Sequence, residues 1–257
     1  MNPKKNWVAF KTIVLKEVLR FFRVWTQTIL PSAITMTLYF VIFGQLMGKR
    51  IGPLQGFDYA QYIAPGLIMM SVITNAYSNI TSSFFLSKFQ RSIEEMLISP
   101  IPNYILLSGY LTGAVLRGLI VGLVVTLISM FFAKFTILHL GLTFLVIFLS
   151  ALLFSLAGFI NAIFAKKFDD IAIVPTFILT PLTYLGGIFY SIAMLPHFWR
   201  YLSLFNPILY MVDTFRYGIL GISDVNIALS LMIIVTLIVI SVIFALYLLK
   251  KGIGLRT

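Results

Sequence analysis

The chain has 257 residues, of which 60% are hydrophobic and 11% charged, and its formal net charge is +11. The mean hydropathy of +1.01 excludes an ordinary soluble enzyme. In an apolar chain the basic excess indicates residues that flank membrane spans and bind anionic membrane lipid, so no nucleic-acid partner is expected. The sequence contains no cysteine, which excludes disulfides and thiol catalysis.

The segment 1–25, before the first apolar run, has the periodicity of an amphipathic interfacial helix. Its apolar residues fall within a stripe of roughly 80° on a helix that turns about 100° per residue. The stripe is formed by Trp7, Phe10, Val14, Val18, Phe21 and Trp25. The pattern is compatible with a basic membrane anchor and also with a mechanical arm tied to a cytoplasmic partner.

Six hydrophobic stretches predict an all-α integral membrane protein with six transmembrane helices, because about 20 apolar residues cross roughly 30 Å of hydrocarbon. The predicted spans are residues 26–47, 61–85, 105–132, 140–164, 172–190 and 228–249. Of the 19 Lys and Arg residues, 13 fall on the side of the termini, five on the other side and one, Arg117, inside a span. The richer side is expected to be cytoplasmic, with both termini inside the cell.

The connection between spans 2 and 3, residues 87–104, exceeds the two to eight residues that commonly join helices. Apolar residues at helical spacing and flanking charges predict a short amphipathic helix, for which Arg91 and Glu95 are interpreted as an i,i+4 pair. The residues that carry this prediction are Arg91, Ile93, Glu94, Glu95, Met96, Leu97 and Pro100. The length favours a docking element for another protein, and a passive interfacial loop is the alternative.

Span 3 combines small residues with a buried charge. The pairs Gly109/Gly113 and Gly118/Gly122 lie on nearly opposite helix faces, so other helices can approach closely on both sides. Arg117 is the one clear ionisable candidate in the spans, and two interpretations stay open: a polar pathway or subunit interface, and snorkelling towards the interface. The spans contain no Asp or Glu, which argues against an ion-coupled carrier.

The fifth span and the residues after it are interrupted by helix-breaking residues. Pro175 and Pro181 predict a kinked helix near a path or gate, and Gly186 and Gly187 are expected to loosen its outer end. The aromatic connection 191–227 is predicted to form a re-entrant extracytoplasmic region of short helices between helices 5 and 6. Pro196 and the pair Asn206–Pro207 are its expected breaks.

No pattern of catalytic or metal-binding residues stands out. His139 and His197 have no acidic and nucleophilic residues patterned around them, and Asp169–Asp170 beside two lysines is typical of a solvated turn. The phosphate-binding pattern GxxxxGK[ST] does not occur. No catalytic residue, metal site or cofactor is therefore predicted in this chain.

Four stretches in a fixed order carry a resemblance to a known family: GLIMMSVITNAYSN (66–79), FQRSIEEMLISPIP (89–102), FDDIAIVPTFILTPLTYLGGIFYSIAMLP (168–196) and FNPILYMVDTFRYGILG (205–221). Together they resemble the membrane subunit of ABC-2 type exporters, and the resemblance runs along nearly the whole chain. It implies one ABC-2 transmembrane domain over residues 1–257, with 1–25 as the connecting helix, 87–104 as the coupling helix and 191–227 as the re-entrant region.

The resemblance further implies a homodimer in the bacterial inner membrane and two copies of a cytoplasmic ATPase subunit that binds ATP and Mg²⁺. The chain would then be an export permease for a drug, lipid or polysaccharide. A non-transporting membrane scaffold or receptor that recruits a cytoplasmic ATPase is the alternative function.

Overall fold

The structure is a computed structural model that describes residues 3–254, without the side chain of Leu97. Arg256, counted above among the basic residues, lies outside that range. The described chain is helical without a named strand. Its helices are α1 (Pro3–Arg23), α2 (Trp25–Thr28), α3 (Leu30–Tyr39), α4 (Gly48–Ile51), α5 (Tyr59–Phe89), α6 (Ser92–Ile98), α7 (Asn103–Phe132), α8 (Leu140–Phe164), α9 (Asp170–Val174), α10 (Thr180–Tyr184), α11 (His197–Leu204), α12 (Pro207–Leu220) and α13 (Ile227–Lys251). Wider π-helical turns join α3 to α4 (Phe40–Met47) and α9 to α10 (Pro175–Leu179), and a 3₁₀ turn covers Ile192–Met194.

Four continuous helical segments are long and apolar enough to cross a membrane: Trp25–Ile51, Asn103–Phe132, Leu140–Phe164 and Ile227–Lys251. They coincide with predicted spans 1, 3, 4 and 6. Helix α5 corresponds to predicted span 2 and is also long, with 31 residues, but it is more polar than the four.

The polarity of α5 has a structural reason, because α5 is the central helix of the bundle. It packs against α7, α8 and α12, so most of its side chains contact protein. Asn75, Asn79 and Ser83 are buried in α5 and find hydrogen-bond partners on neighbouring helices. A helix surrounded by other helices can carry polar groups that a lipid-facing helix cannot.

The fifth predicted span differs from the prediction. The continuous turns α9, Pro175–Leu179 and α10 end at Tyr184, and the chain then turns through Gly186 and Gly187 instead of continuing helically to residue 190. Gly187 has a φ of +70°, a left-handed conformation that glycine adopts without a steric penalty. A helix over residues 170–184 is about 22 Å long, less than the roughly 30 Å of hydrocarbon.

Both glycine pairs of α7 lie at close helix contacts within the chain. A Cβ atom on Gly109 would come within 2.7 Å of Ile13 on α1, and one on Gly122 within 2.6 Å of Val72 on α5. Gly113 likewise faces Glu17, and Gly118 faces Ala76. The prediction of close approach on two opposite faces is confirmed, and both seams are intrachain.

The two ends of the bundle differ in charge. The basic end, defined by Lys88, Arg91, Lys166, Lys167, Lys250 and Lys251, holds α6 and the last turns of α5, α8 and α13. The opposite end holds α11, α12 and the turns near residues 52–58 and 133–139. The backbone amide of His139 donates to the carbonyl of Gly218 there, which joins α12 to the start of α8.

Helix α1 is amphipathic, and the bundle covers only part of the predicted stripe. Phe21 of the stripe is buried together with Ile13 and Glu17, whereas Trp7 is 65% exposed and Trp25 is 52% exposed. The apolar surface of α1 is broader than the predicted stripe. One part of it packs on α7 and another, with Leu15 and Leu19, faces outward.

Candidate functional site

The predicted amphipathic helix of the 87–104 connection exists as α6, and a sharp turn separates it from α5. Arg91 lies just before α6 with a φ of +61°, a left-handed conformation that reverses the chain direction. Because Arg91 lies outside the helix, it forms no ion pair with Glu95 in the described structure, and the predicted i,i+4 pair is wrong. Pro102 precedes α7, where the connection ends.

One side of α6 is anchored in the bundle. Ile93 is fully buried, and the sulfur of the half-buried Met96 lies 3.9 Å from the hydroxyl oxygen of Tyr110 on α7. The same hydroxyl donates to Ser87 on α5 at 3.0 Å. These contacts connect α6 to both α5 and α7, so a displacement of α6 acts on two helices.

The other side of α6 is open. Glu95 and Pro100 are exposed, Glu94 is half-buried and Ile98 is 85% exposed. The side chain of Leu97 lies outside the described residues. The exposed Ile98 is therefore available for contact with lipid or with another protein.

Aromatic residues extend this surface towards the turn after α8. The ring of Phe89, at the end of α5, meets the ring of Phe168 edge to face with 5.0 Å between centroids, and both rings are largely exposed. In the same turn Asp170 accepts hydrogen bonds from the backbone amides of Lys166 and Lys167 at 2.7 and 2.9 Å. These two donors hold the pKa of Asp170 below its ordinary value, because they stabilise the carboxylate.

Lys88 fixes the end of α5 to the end of α8. Its Nζ donates to the carbonyls of Ile163 and Ala165, both at 2.6 Å, and the residue is only 4% exposed. A buried ammonium at a helix C-terminus satisfies carbonyls that have no partner in their own helix. Sequence reasoning counted Lys88 only as a basic flanking residue and missed this role.

Helix α1 is joined to the bundle by a buried carboxylate. Glu17 is fully buried against Gly113, accepts a hydrogen bond from the hydroxyl of Ser83 at 2.6 Å, and forms a 3.2 Å ion pair with Arg20. Arg20 also donates to the carbonyl and side-chain oxygens of Asn79 at 3.0 and 2.8 Å. Nothing in a one-dimensional hydropathy profile distinguishes Glu17 from a solvated residue.

Arg117 extends this polar network across the bundle. It is buried, donates to the side-chain oxygen of Asn75 at 3.0 Å and to that of Asn79 at 3.4 Å, and its Nε has no hydrogen-bond partner among the described residues. Asn75 in turn donates to Ser32 on α3 at 2.9 Å. Arg117 therefore does not snorkel to the interface. The side-chain amides of Asn75 and Asn79 hold Arg117 inside the bundle, and among the described residues no carboxylate contacts it.

The predicted helix breaks differ in their effect on the helices. Pro175 begins a π-helical turn and Pro181 is an early residue of α10, so neither stops the helix. Asn206 caps α12, since its side-chain oxygen accepts from the amide of Ile208 at 3.0 Å and Pro207 occupies the first helical position. The predicted break at Asn206–Pro207 is confirmed.

The opposite end contains a buried ion pair that the sequence did not reveal. Arg216 and Asp213 on α12 are almost fully buried with 3.7 Å between their charged atoms. The guanidinium of Arg216 lies 4.2 Å from the ring centroid of Tyr62 and also donates to the carbonyl of Gly187. The sequence analysis counted Arg216 only among the five basic residues on the side opposite the termini. It instead connects α12, α5 and the turn after α10.

Asp213 and Asp224 organise the turns at that end. Asp213 accepts from the amides of Asp224 and Val225 at 2.9 and 3.0 Å. Asp224 accepts from the hydroxyl of Ser191 at 2.6 Å and from Gln55 at 2.9 Å. The residues 187–192, 221–226 and 52–58 therefore form one connected layer. Within residues 3–254, no group of three or more His, Cys, Asp or Glu is placed to hold a metal ion.

The structure is a helical membrane bundle with a polar core, and its basic end carries an anchored helix with one side open. The chain belongs to the ABC-2 type transporter family, which matches residues 8–220. It is 55% identical to the inner membrane transport permease YadH of Escherichia coli (strain K12) over 251 residues, 98% of each chain. It is also 23% identical over 249 residues to nodulation protein J of Rhizobium leguminosarum bv. viciae, covering 96% of this chain and 92% of the relative.

The chain is therefore the membrane permease of an ABC transporter and a multi-pass protein of the inner membrane. It is not the catalytic subunit, since ATP hydrolysis in such transporters lies in a separate ATP-binding subunit.

Proposed function

We propose that the chain is the permease of an ATP-driven exporter, assembled as a homodimer with two copies of the ATP-binding subunit. The observation that carries the proposal is the arrangement of α6, which is anchored through Ile93 and presents Glu94, Glu95 and Ile98 outward. ATP and Mg²⁺ bind to the partner subunits, and the substrate moves out of the cell. The proposed substrate is a drug, a lipid or a polysaccharide.

In this proposal the basic end faces the cytoplasm, with both termini inside, as the excess of Lys and Arg favours. The six spans are Trp25–Ile51, α5, α7, α8, the α9–α10 segment and α13. The short fifth span completes its crossing with the non-helical turn at residues 185–191. Such a turn is tolerated at membrane depth because Arg216 donates to the turn's carbonyl at Gly187, and Asn206 donates to the carbonyl of Leu182 in the last turn of α10.

Closure of the nucleotide-bound ATPase subunits displaces α6. The displacement reaches α5 and α7 through Ile93 and Tyr110, and it reaches α8 through Lys88. Helix α1 acts as the connecting helix and moves with α7, because Gly109 and Gly113 hold the two backbones close together. The two subunits thereby alternate between inward-open and outward-open states.

The region 191–227 serves as the outer re-entrant element that closes the exit. Helix α12 is buried and joined to α5 by Arg216, whereas α11 presents exposed aromatic residues, among them Phe198 and Tyr201. This combination supports a cap whose inner helix follows the movement of α5 and whose outer helix contacts lipid or the second subunit.

The test is a reconstitution of the permease with its ATP-binding subunit in vesicles. The double variant Glu94→Lys/Glu95→Lys is expected to reduce co-purification of the ATPase at least about tenfold, as like charges at a rim contact cost one to several kcal/mol. Transport coupled to ATP should be lost with it. Lys251→Glu is the matched control, because it reverses an exposed charge at the same end but outside the surface formed by α6, Phe89 and Phe168. Normal ATPase binding and transport in the double variant would refute the coupling role of α6.

The alternative, a non-transporting scaffold, predicts ATPase recruitment without movement of the opposite end. The chain lacks cysteine, so a single spin label at the exposed Tyr201→Cys reports the distance between the two subunits. A shift of that distance when ATP is trapped supports the exporter, and an unchanged distance supports the scaffold. An ion-coupled carrier would instead show gradient-driven flux without ATP.

A further inference from the structure

A long apolar groove lies between α7, α8 and α12, in the half of the bundle next to the opposite end. Its volume is about 470 Å³, and its described lining is aliphatic or aromatic apart from one glycine and two threonines. On α7 the groove extends from Leu116 to Thr126, and on α12 it includes Phe215 and Ile219. We name this cavity the tail groove.

The two threonines of the tail groove already use their hydroxyl protons. Thr126 donates to the carbonyl of Gly122 at 2.7 Å, and Thr143 donates to the carbonyl of His139 at 2.9 Å. A polar molecule would give up its hydration here without gaining equivalent hydrogen bonds, whereas a hydrocarbon chain would lose nothing. The lining therefore favours a hydrocarbon chain as the occupant.

The tail groove opens sideways, at the depth of the membrane. Helices α7 and α8 are both long and apolar enough to cross a membrane. The residues at the opening are between 36% and 71% exposed, namely Leu116, Leu123, Leu140 and Phe144. Ten residues of α7, from 116 to 126, cover about 15 Å, which is half of the roughly 30 Å of hydrocarbon. The groove therefore has the length of one leaflet.

A second cavity follows the tail groove towards the opposite end. Its volume is about 540 Å³, it begins one turn further along α7 at Met130, and it shares Ile219 with the tail groove. We name it the head pocket. Its polar lining residues are Gln61, Lys134 and Thr136. Of the described residues that line it, Lys134 alone carries a charge, and within residues 3–254 this exposed lysine forms no ion pair.

We propose that the tail groove and the head pocket together bind one phospholipid molecule from the leaflet next to the opposite end. One acyl chain lies along α7 and fills the space that the protein's own side chains leave open between α7, α8 and α12. The lipid phosphate lies beside Lys134, whose flexible stem lets its ammonium reach the surface of the membrane.

The order of the two cavities matches the orientation of such a lipid. In a leaflet the acyl chains point to the middle of the membrane and the phosphate lies at its surface. The apolar tail groove is the deeper of the two cavities, and Lys134 lies just beyond the last residue of α7. The inference goes beyond the proposed export function and does not depend on it, since the bound lipid is a resident of the bundle and not its cargo.

The test uses the permease in lipid nanodiscs without the ATP-binding subunit. A phosphatidylglycerol with a diazirine in the middle of one acyl chain is added in trace amount, and the cross-linked residues are mapped by mass spectrometry after illumination. Cross-links within residues 116–126 are expected about tenfold more often than on the outward face of α13 at Val235 and Val239, a preference of about 1.4 kcal/mol. A diacylglycerol with the same diazirine chain lacks the phosphate and should cross-link there about two- to fivefold less.

Two variants test the two cavities separately. Thr126→Phe fills the tail groove and should reduce cross-linking there to the level of α13. Leu127→Phe is the matched control, because Leu127 is the next residue, is exposed and lines neither cavity. Should Thr126→Phe fail to fold, Leu119→Phe fills the same groove.

Lys134→Gln should lower cross-linking by the phospholipid about two- to fivefold, the size of one partly solvated charge contact. Lys49→Gln is its control, because Lys49 is another exposed lysine that lines neither cavity. Equal cross-linking of the tail groove and α13 would mean that lipids only surround the bundle. No cross-link in the groove would mean that protein covers it, and equal signals from phosphatidylglycerol and diacylglycerol would mean that the phosphate is not recognised. Each of these three results overturns the proposal.

Discussion

Replacement of Glu17 tests whether a buried carboxylate holds α1 on the bundle. Glu17→Ala leaves the hydroxyl of Ser83 buried without an acceptor, which costs about 1–3 kcal/mol. Loss of the ion pair with Arg20 adds at most about 1 kcal/mol, because Arg20 is 27% exposed and keeps its bonds to Asn79. The lost methylene contact with Gly113 adds about 0.8 kcal/mol. We therefore expect Glu17→Ala to lower the free energy of unfolding by about 3 kcal/mol.

Glu17→Gln removes the charge of the side chain and keeps its shape. It keeps an oxygen that can accept from Ser83 and fills the same space beside Gly113, so only the ionic part is lost and the expected cost is about 1 kcal/mol. The double variant Glu17→Ala/Ser83→Ala should be no less stable than Glu17→Ala, because removing both partners leaves no orphaned hydroxyl.

The measurement is thermal unfolding in detergent followed by tryptophan fluorescence, since Trp7 and Trp25 lie in or next to α1. Glu95→Gln, an exposed glutamate of α6, is the control and should leave the midpoint within error. The reasoning fails if Glu17→Ala is as stable as the wild type. It also fails if Glu17→Gln costs as much as Glu17→Ala, because the charge alone would then carry the effect.

Variants at two further residues address other buried charges. Lys88→Met should lower the free energy of unfolding by about 2–3 kcal/mol, because the carbonyls of Ile163 and Ala165 lose a charged donor. Unchanged thermal stability would contradict the role of Lys88 in fixing α5 to α8. Arg216→Met should cost about 3 kcal/mol, since it leaves Asp213 buried without its cation and removes the contact with Tyr62. The stability of Arg216→Lys should lie between that of the wild type and that of Arg216→Met, because lysine keeps the charge but not the planar donor geometry. A lysine variant as unstable as the methionine variant would contradict this expectation.

The sequence by itself determined the features that depend on local composition. Long apolar runs predicted helices at α7, α8 and α13, because a backbone in hydrocarbon must satisfy its own hydrogen bonds. Glycine spacing predicted two close helix contacts on α7, and Asn206–Pro207 predicted a helix start, since both signals act within a few residues. The family also followed from the order of the motifs.

Only the tertiary structure decided the fate of the charged and polar residues. The sequence carried no signal that Glu17, Lys88, Asp213 and Arg216 are buried. Each is buried because groups from other segments satisfy it, namely Ser83, the end of α8, the amides of 224–225 and the carbonyl of Gly187. The sequence also did not predict that the fifth helix ends at Tyr184. A turn follows it, and Arg216 donates a hydrogen bond to the carbonyl of Gly187 in that turn. Hydropathy sums the preferences of single residues, whereas burial of a charge depends on which groups the fold brings within hydrogen-bond distance.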